Sequence, residues 1–251
     1  MAAEKQRLIW IDYGKGITIL FVVIAHVLKG LIEGNLVGDL TFSLTLLNMV
    51  IFTFIMPVFF ALSGYLYRPV TNVKDFFRQI KKRAISLLIP YLIFSVLFVL
   101  LQHLSSSGIN NLISWNSLLF IFIKPITYLW YLYALFLIFL LFDFLSLLRI
   151  SAGFSFALAI IAVSLAAILP IPEPLIFVFR WAIFFLIGYV LKVKNSQFSN
   201  IYFLMLNVLV FIFSLIIQKN FDPTWAQTNE PTVYNLVSKI VSVPLFFSIF
   251  N

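Results

Sequence analysis

The sequence contains no cysteine and few charged residues, and both shortages exclude classes of protein. Without cysteine the chain has no disulfide, no thiol nucleophile and no thiolate metal site. Only two residues are histidine, which argues against a histidine-rich metal site, so we expect no bound metal. Charged residues make up 10% of the chain, a share well below that of soluble domains.

Apolar residues make up 63% of the chain, and 30 of its residues are phenylalanine. The apolar runs are too long and too uniform for helices that face water on one side. They predict an all-α fold, a polytopic transmembrane helix bundle formed by a single integral-membrane domain over residues 1–251. We expect about eight spans, near residues 15–32, 43–67, 84–104, 127–148, 152–170, 174–191, 199–217 and 232–250. The last run reaches Phe250 without a polar flank, which leaves open a further pair of spans beyond it.

The stretch 112–126 interrupts this series. Its continuous apolar core covers only residues 118–123, which is too short to cross a bilayer. We therefore expect an interfacial or re-entrant segment there. With that assignment the basic residues that follow the second, fourth and sixth spans share the side of the N-terminus, and the positive-inside rule places this side in the cytoplasm. These residues are Arg68, Lys74, Arg78, Lys81, Lys82, Arg83, Arg149, Lys192 and Lys194.

The net charge of +8 has the same explanation. The basic residues lie in short connections between apolar runs rather than over one surface, so topology accounts for them better than nucleic-acid binding does. We expect membrane lipids, and no nucleic acid, among the partners of the chain.

Lys15 and His26 are the most informative pair of residues in the first span. They lie eleven positions apart, which is three helical turns to within about 20°, so the two side chains share one face of the helix. They lie about 16 Å apart along the axis, with the lysine near one membrane surface and the histidine inside the hydrocarbon. A neutral imidazole there is suited to accept a proton from a hydroxyl as a general base. The alternative is a histidine that only hydrogen-bonds a neighbouring helix.

Other charged residues are weaker candidates. Glu33 lies on the face of His26 and would orient its ring through an intermediary, or is simply solvated. The loop 68–83 suits an anionic cytosolic ligand such as a nucleotide polyphosphate, or serves only as a positive-inside anchor. Arg180 lies six residues into a span and would bind a carboxylate, a substrate or a carbonyl group. Asp143 is better explained as a helix-packing or interfacial residue.

Several common catalytic motifs are absent. The sequence has no Gly-x-Ser-x-Gly elbow around Ser63, no Walker loop and no His-Glu-x-x-His motif. The absence of these motifs argues against a serine or zinc hydrolase of the soluble type.

Taken in order, several stretches resemble the integral-membrane acyltransferase family 3, whose members O-acetylate surface polysaccharides and related glycans. The first is a basic residue, ten intervening residues and a histidine, here Lys15 and His26 in the segment that opens at Arg7. The others are Phe59-Phe60-Ala61-Leu62-Ser63-Gly64-Tyr65-Leu66, the stretch from Lys82-Arg83 to Pro90-Tyr91, Tyr128-Leu129-Trp130-Tyr131-Leu132 and Phe184-Phe185-Leu186-Ile187-Gly188-Tyr189. Members of the family usually have about ten or more spans, whereas eight are expected here. The resemblance therefore leaves open that further helices follow at the C-terminus.

The resemblance implies a cytosolic acetyl-CoA donor, a glycan or lipid-linked sugar hydroxyl as acceptor, and Lys15 and His26 as the essential pair. We then expect Lys15, Arg68, Lys82 and Arg83 to hold the coenzyme A phosphates, with Arg180 as oxyanion or acceptor ligand. It also implies a multi-pass protein of a bacterial inner membrane with a cytoplasmic N-terminus, working beside other envelope-glycan enzymes.

Two other classes remain open. A proton-coupled secondary transporter would use His26, Arg180 and Asp143 as a relay, although the sequence shows no inverted repeat. A non-catalytic membrane scaffold would tolerate substitution at both Lys15 and His26.

Overall fold

The computed structural model describes residues 8–105, 112–194, 200–226 and 230–250, without the side chains of residues 127, 167 and 168. Arg7, which opens the first family-like stretch, lies outside the described residues. Within them the chain forms helices and no strand. The helices are α1 (Ile9–Glu33), α2 (Thr41–Tyr65), α3 (Val73–Arg83), α4 (Ile89–Leu104), α5 (Trp130–Leu147), α6 (Ala152–Ile168), α7 (Glu173–Val193), α8 (Ile201–Phe221) and α9 (Leu236–Phe250).

The apolar helices follow the predicted series of spans and confirm the all-α helix bundle. In the part of the chain that the structure describes, six helical segments are long and apolar enough to cross a membrane: Ile9–Glu33, Gly38–Tyr65, Val73–Leu104, Trp130–Leu147, Glu173–Val193 and Ile201–Phe221. Helices α6 and α9 are shorter and equally apolar, and they account for the remaining two predicted spans. The protein is therefore a multi-pass membrane protein.

Two of the helices end in the same way, with a residue in the left-handed region. Asn35 follows α1 with φ of 54°, and Arg149 follows α5 with φ of 58°. After α5 the backbone N–H of Arg149 donates to the carbonyl of Ser146, and that of Ile150 donates to the carbonyl of Leu145. This bonding satisfies carbonyl groups that the helix end leaves open, so both helices stop sharply.

Residues 73–83 were predicted as part of a loop, but they form α3. Asn72 begins this helix, because its side-chain oxygen accepts a hydrogen bond of 2.9 Å from the backbone N–H of Asp75. A π-helical turn, Ala84–Leu88, joins α3 to α4. Pro90 explains this turn, since proline lacks an N–H and its ring crowds the carbonyl of Ser86 four residues earlier.

The segment 112–126 does not form a spanning helix, as the sequence predicted. It contains a six-residue 3₁₀ helix, Trp115–Phe120, which is too short to cross a bilayer. Two buried tyrosines hold the residues that follow. The hydroxyl of Tyr91 donates to the carbonyl of Ile121 at 2.6 Å, and that of Tyr133 donates to the carbonyl of Phe122 at 3.0 Å.

The described residues fall into two compact units. Unit 1 contains the chain up to Tyr67 and from Phe184 onward, and unit 2 is Arg68–Ile183. In unit 1, α2 packs against both α1 and α9, and α9 also packs against α8. In unit 2, α3 and the π-helical turn pack against α5, and Trp130 stacks on Phe177 with ring centroids 5.1 Å apart. The boundary falls inside α7.

Candidate active site

Helix α1 carries the predicted pair on one uninterrupted stretch. Since the helix runs from Ile9 to Glu33 without a break, Lys15 and His26 lie on one side of it. Both residues are half-buried. They flank the buried stripe of α1, which consists of Ile11, Gly14, Thr18 and Ala25. The helical expectation for this pair is therefore confirmed, and the contacts of the two side chains define the candidate site.

The imidazole of His26 packs against α2. Its ring meets the ring of Phe52 edge-on, with centroids 5.5 Å apart and an angle of 70° between the planes. Phe52 belongs to a buried cluster that it forms with Ala25, Ile51 and Ile55. This packing restricts the rotation of the imidazole without burying it completely, as a base that must meet a substrate requires.

Lys239 of α9 reaches the same phenylalanine from another direction. Its Nζ donates a hydrogen bond of 3.2 Å to the main-chain carbonyl oxygen of Phe52. Only 1% of Lys239 is exposed, so its long side chain is fully enclosed by the helices of unit 1. His26 and Lys239 therefore contact one residue of α2, His26 through the ring and Lys239 through the carbonyl oxygen.

Sequence analysis missed Lys239, although a signal was present. The residue lies inside the last predicted span, and an ionisable residue inside a span is a functional candidate by default. The apolar residues that surround it in the run 232–250 conceal this signal.

Other buried polar side chains lie on the helices of unit 1 that carry Phe52 and Lys239, and on α8. Asn48 lies one turn before Phe52 on α2, and its buried Oδ1 has no hydrogen-bond partner within the part of the chain that the structure describes. On α8 the side chain of Gln218 accepts a 3.2 Å hydrogen bond from the hydroxyl of Ser238, and both residues are buried. Such polar groups are costly inside an apolar bundle, which singles out this part of unit 1.

At the N-terminal end of α1, Lys15 has an acidic neighbour, and several aromatic rings pack nearby. Asp12 lies one turn earlier on the helix and interacts electrostatically with Lys15. Nearby, the ring of Trp10 contacts the rings of Tyr65 and Phe247 at centroid distances of 5.2 and 5.3 Å. These contacts bring the end of α2 and the end of α9 to the start of α1, at the end of unit 1 opposite Glu33.

Glu33 lies at the exposed end of α1. Its carboxylate is 3.8 Å from Nζ of Lys29, and 63% of the Glu33 side chain is exposed. The ion pair accounts for the residue as a solvated group, and a part in orienting His26 stays a prediction.

The basic segment belongs to unit 2, and the structure separates its members. Arg68 and Lys82 are exposed. Arg83 instead forms an ion pair with the completely buried Asp143, and its guanidinium lies 4.2 Å from the centre of the Phe139 ring. Arg68 and Lys82 are therefore accessible to an anionic ligand, whereas the guanidinium of Arg83 is engaged by α5. This contact also gives Asp143 the packing role expected of it.

Arg180 lies in unit 2 on α7 and is half-buried. It precedes Trp181, which is 1% exposed and packs against Trp130 with ring centroids 5.4 Å apart. Arg180 thus belongs to unit 2, whereas His26 belongs to unit 1.

Unit 1 also contains an apolar cavity of about 260 Å³ between α1, α2, α8 and α9. Its α1 lining consists of Ile17 and Phe21. At about 100° per residue these two side chains project from the side of α1 opposite Lys15 and His26. The cavity is therefore not a passage along the face that carries the predicted pair.

Comparison with known proteins assigns the family. The family model described as an acyltransferase domain matches residues 8–250. Nodulation protein NolL of Sinorhizobium fredii is 38% identical over 96 residues, and NolL of Mesorhizobium japonicum is 36% identical over 96 residues. Each match covers 38% of this chain and 25% of the relative, and no solved structure is significantly similar. Because the family model spans nearly every residue, the chain belongs to the integral-membrane acyltransferase family 3.

Proposed function

We propose that this protein is a membrane O-acyltransferase that moves an acetyl group from cytosolic acetyl-CoA to a hydroxyl of a surface polysaccharide or lipid-linked glycan. The arrangement on α1 carries the proposal: Lys15 and His26 share one side of the helix, and His26 packs against Phe52 without being fully buried. Family membership supports an acyltransferase over a proton-coupled carrier.

The reaction needs one base and no metal. His26 takes the proton of the acceptor hydroxyl while the hydroxyl oxygen attacks the thioester carbonyl carbon. A carbon–oxygen bond forms, and the carbonyl electron pair moves to oxygen and gives a tetrahedral oxyanion. When this intermediate collapses, the carbon–sulfur bond breaks and the imidazolium returns its proton to the thiolate of coenzyme A. General-base assistance of this kind contributes about 10²- to 10⁴-fold to the rate.

We propose that basic side chains position the acetyl-CoA donor through its phosphate groups. Lys15 lies eleven residues before His26, which is about 16 Å along the helix and comparable with the pantetheine arm of coenzyme A. We propose that Lys15 contacts the phosphate end of acetyl-CoA, and that the exposed Arg68 and Lys82 add positive charge for the same phosphates. Because Arg83 is paired with Asp143, its contribution to the donor is the weakest of the four.

Arg180 is the residue that we propose for the acceptor side of the reaction. Arg180 is the proposed ligand of the acceptor or of the oxyanion, because a half-buried arginine within an apolar helix is costly to maintain. The proposed setting is a bacterial inner membrane with the N-terminus in the cytoplasm, beside other enzymes of envelope-glycan synthesis.

The chain offers a matched control for the base, since it has two histidines. We expect His26→Ala to abolish O-acetylation of the surface glycan while the protein still inserts in the membrane. His103→Ala should leave acetylation unchanged, because the His103 imidazole hydrogen-bonds the carbonyl of Val99 on its own helix and packs on Trp115, at a distance in sequence from the proposed pair.

O-acetyl groups would be counted by mass spectrometry of surface glycans from cells that carry each variant, with a strain that lacks the protein as the reference. Wild-type acetylation by His26→Ala would refute the assignment of the base. An identical glycan with and without the protein would refute the proposed acceptor class.

A further inference from the structure

We propose that Lys239 is a further catalytic residue of the site, whose side-chain N–H stabilises the oxyanion that forms when the acceptor hydroxyl attacks the thioester. This inference rests on the proposed acyl transfer and adds the group that balances the developing negative charge.

The burial of Lys239 is the first argument. The residue is the fourth of α9, and it is 1% exposed among helices that are otherwise strongly apolar. A lysine in this position loses its hydration, a cost that a methionine or leucine of similar length would avoid. Ionisable residues enclosed within membrane helices are accordingly found where function needs them.

The second argument is the direction of the side chain. Lys239 extends from α9 to α2 and ends 3.2 Å from the carbonyl oxygen of Phe52. The ring of the same phenylalanine holds the imidazole of His26. The proposed base and the proposed N–H donor therefore contact the same residue of α2, the base at its ring and the donor at its carbonyl oxygen, although one lies on α1 and the other on α9.

The neighbouring polar groups point the same way. Asn48, one turn earlier on α2, leaves a buried Oδ1 without a hydrogen-bond partner among the described residues. The hydroxyl of Ser242 donates to the main-chain carbonyl of Lys239 at 2.7 Å and fixes the turn of α9 that carries the lysine. A buried acceptor one helical turn from the carbonyl group that a buried donor contacts is the composition expected of a site that receives a polar substrate group.

Lys239 makes and breaks no covalent bond in this scheme. As the hydroxyl oxygen adds to the carbonyl carbon, the electron pair that moves to the carbonyl oxygen is stabilised by the lysine N–H, and the hydroxyl proton goes to His26. On collapse the negative charge leaves with the sulfur, which His26 protonates. Removal of one donor to an oxyanion typically lowers kcat by about 10²- to 10³-fold.

A purely structural role makes a different prediction. If Lys239 only ties α9 to α2, its loss lowers the amount and thermal stability of the protein, but each folded molecule works at the normal rate. If it stabilises the oxyanion, kcat falls per folded molecule while KM for acetyl-CoA stays unchanged. Lys239→Arg, which keeps N–H donors, should then recover part of the rate that Lys239→Met loses.

The experiment uses the full chain in membranes from cells that express each variant. Membranes receive acetyl-CoA with a radiolabelled acetyl group, and label in the glycan fraction is measured against the amount of folded protein. We expect Lys239→Met to lower kcat by about 10²- to 10³-fold. Lys219→Met is the control, because Lys219 lies on α8 and its Nζ lies 5.2 Å from the centre of the Phe42 ring, outside the proposed site.

Normal turnover per folded molecule in Lys239→Met would overturn the inference, and an inactive His26→Ala in the same assay would show that the proposed function survives. If wild-type membranes transfer no label, the proposed function itself fails. Should Lys239→Met not accumulate, Lys239→Leu, which also lacks an N–H donor, takes its place and is compared with Lys239→Arg by the same ratio of rate to folded protein. A normal rate in Lys239→Leu would again overturn the role.

Discussion

Arg83 and Asp143 form an ion pair in which 12% of the arginine side chain and none of the aspartate side chain is exposed. The pair joins the end of α3 to the C-terminal part of α5 across 60 positions of sequence. Such an enclosed pair is expensive to form and still more expensive to break, because the remaining charge then stays buried alone.

We therefore expect Asp143→Asn to destabilise the protein by about 3–5 kcal/mol, because the charge of Arg83 loses its partner. The measurement is the thermal unfolding midpoint of purified protein in detergent. Asp75→Asn is the matched control, since Asp75 pairs with Arg78 at 2.6 Å near the surface, where 72% of the arginine side chain is exposed. An exposed pair contributes at most about 1 kcal/mol. Equal losses of stability in the two variants would contradict the importance of the buried pair.

The two glycine-bearing stretches that resemble the family pack directly on each other. A Cβ atom added to Gly64 would overlap the carbonyl oxygen of Phe185, and one added to Gly188 would overlap the carbonyl oxygen of Ala61. Small residues allow this close approach of the α2 and α7 backbones. We expect Gly64→Ala and Gly188→Ala each to destabilise the protein by about 1–3 kcal/mol, because a helix backbone must shift.

Gly16→Ala provides the control for this prediction. Gly16 also lies within a helix, but an added Cβ meets no atom within 4 Å. Alanine there should stabilise the protein by up to about 1 kcal/mol, since glycine is the poorer helix former. Thermal unfolding of the three variants, followed by circular dichroism in detergent, tests the set. A Gly188→Ala variant as stable as Gly16→Ala would show that α2 and α7 are not in backbone contact.

Lys15→Met should raise KM for acetyl-CoA by about tenfold or more, since a hydrogen bond to a charged group is worth about 1.5–3 kcal/mol. Lys29→Met is the matched control on the same helix. Lys29 pairs with Glu33 at the far end of α1 and should leave KM unchanged. Initial rates of acetyl transfer at increasing acetyl-CoA concentration would distinguish the two. If both variants keep the normal KM, Lys15 does not contact the donor.

The absence of cysteine makes the topology directly testable. A single cysteine at Lys82 should react with an impermeant maleimide only in inverted membrane vesicles, because the basic segment is proposed to face the cytoplasm. A single cysteine at Asp39, which lies between α1 and α2, should react only in intact spheroplasts. The reverse labelling pattern would place the N-terminus outside and exclude a cytosolic donor at Lys15.

Sequence reasoning anticipated more of the fold than of the site. Long apolar runs define helices by local composition, so the spans were confirmed and the segment 112–126 was correctly excluded. The charge density of the basic stretch predicts a loop and conceals the helix that Asn72 begins. For the site, the face shared by Lys15 and His26 follows from helical geometry alone, whereas Lys239 was missed because its apolar neighbours dominated the interpretation of that run.

The sequence by itself determined that the chain crosses a membrane repeatedly, and that Lys15 and His26 share one side of α1, because both properties depend on residues within a single helix. Only the tertiary structure decided which groups meet. The contact of Lys239 with Phe52 joins residues 187 positions apart, and the pair of Arg83 with Asp143 joins residues 60 positions apart. No local pattern encodes such partners, since they depend on how the helices pack against one another.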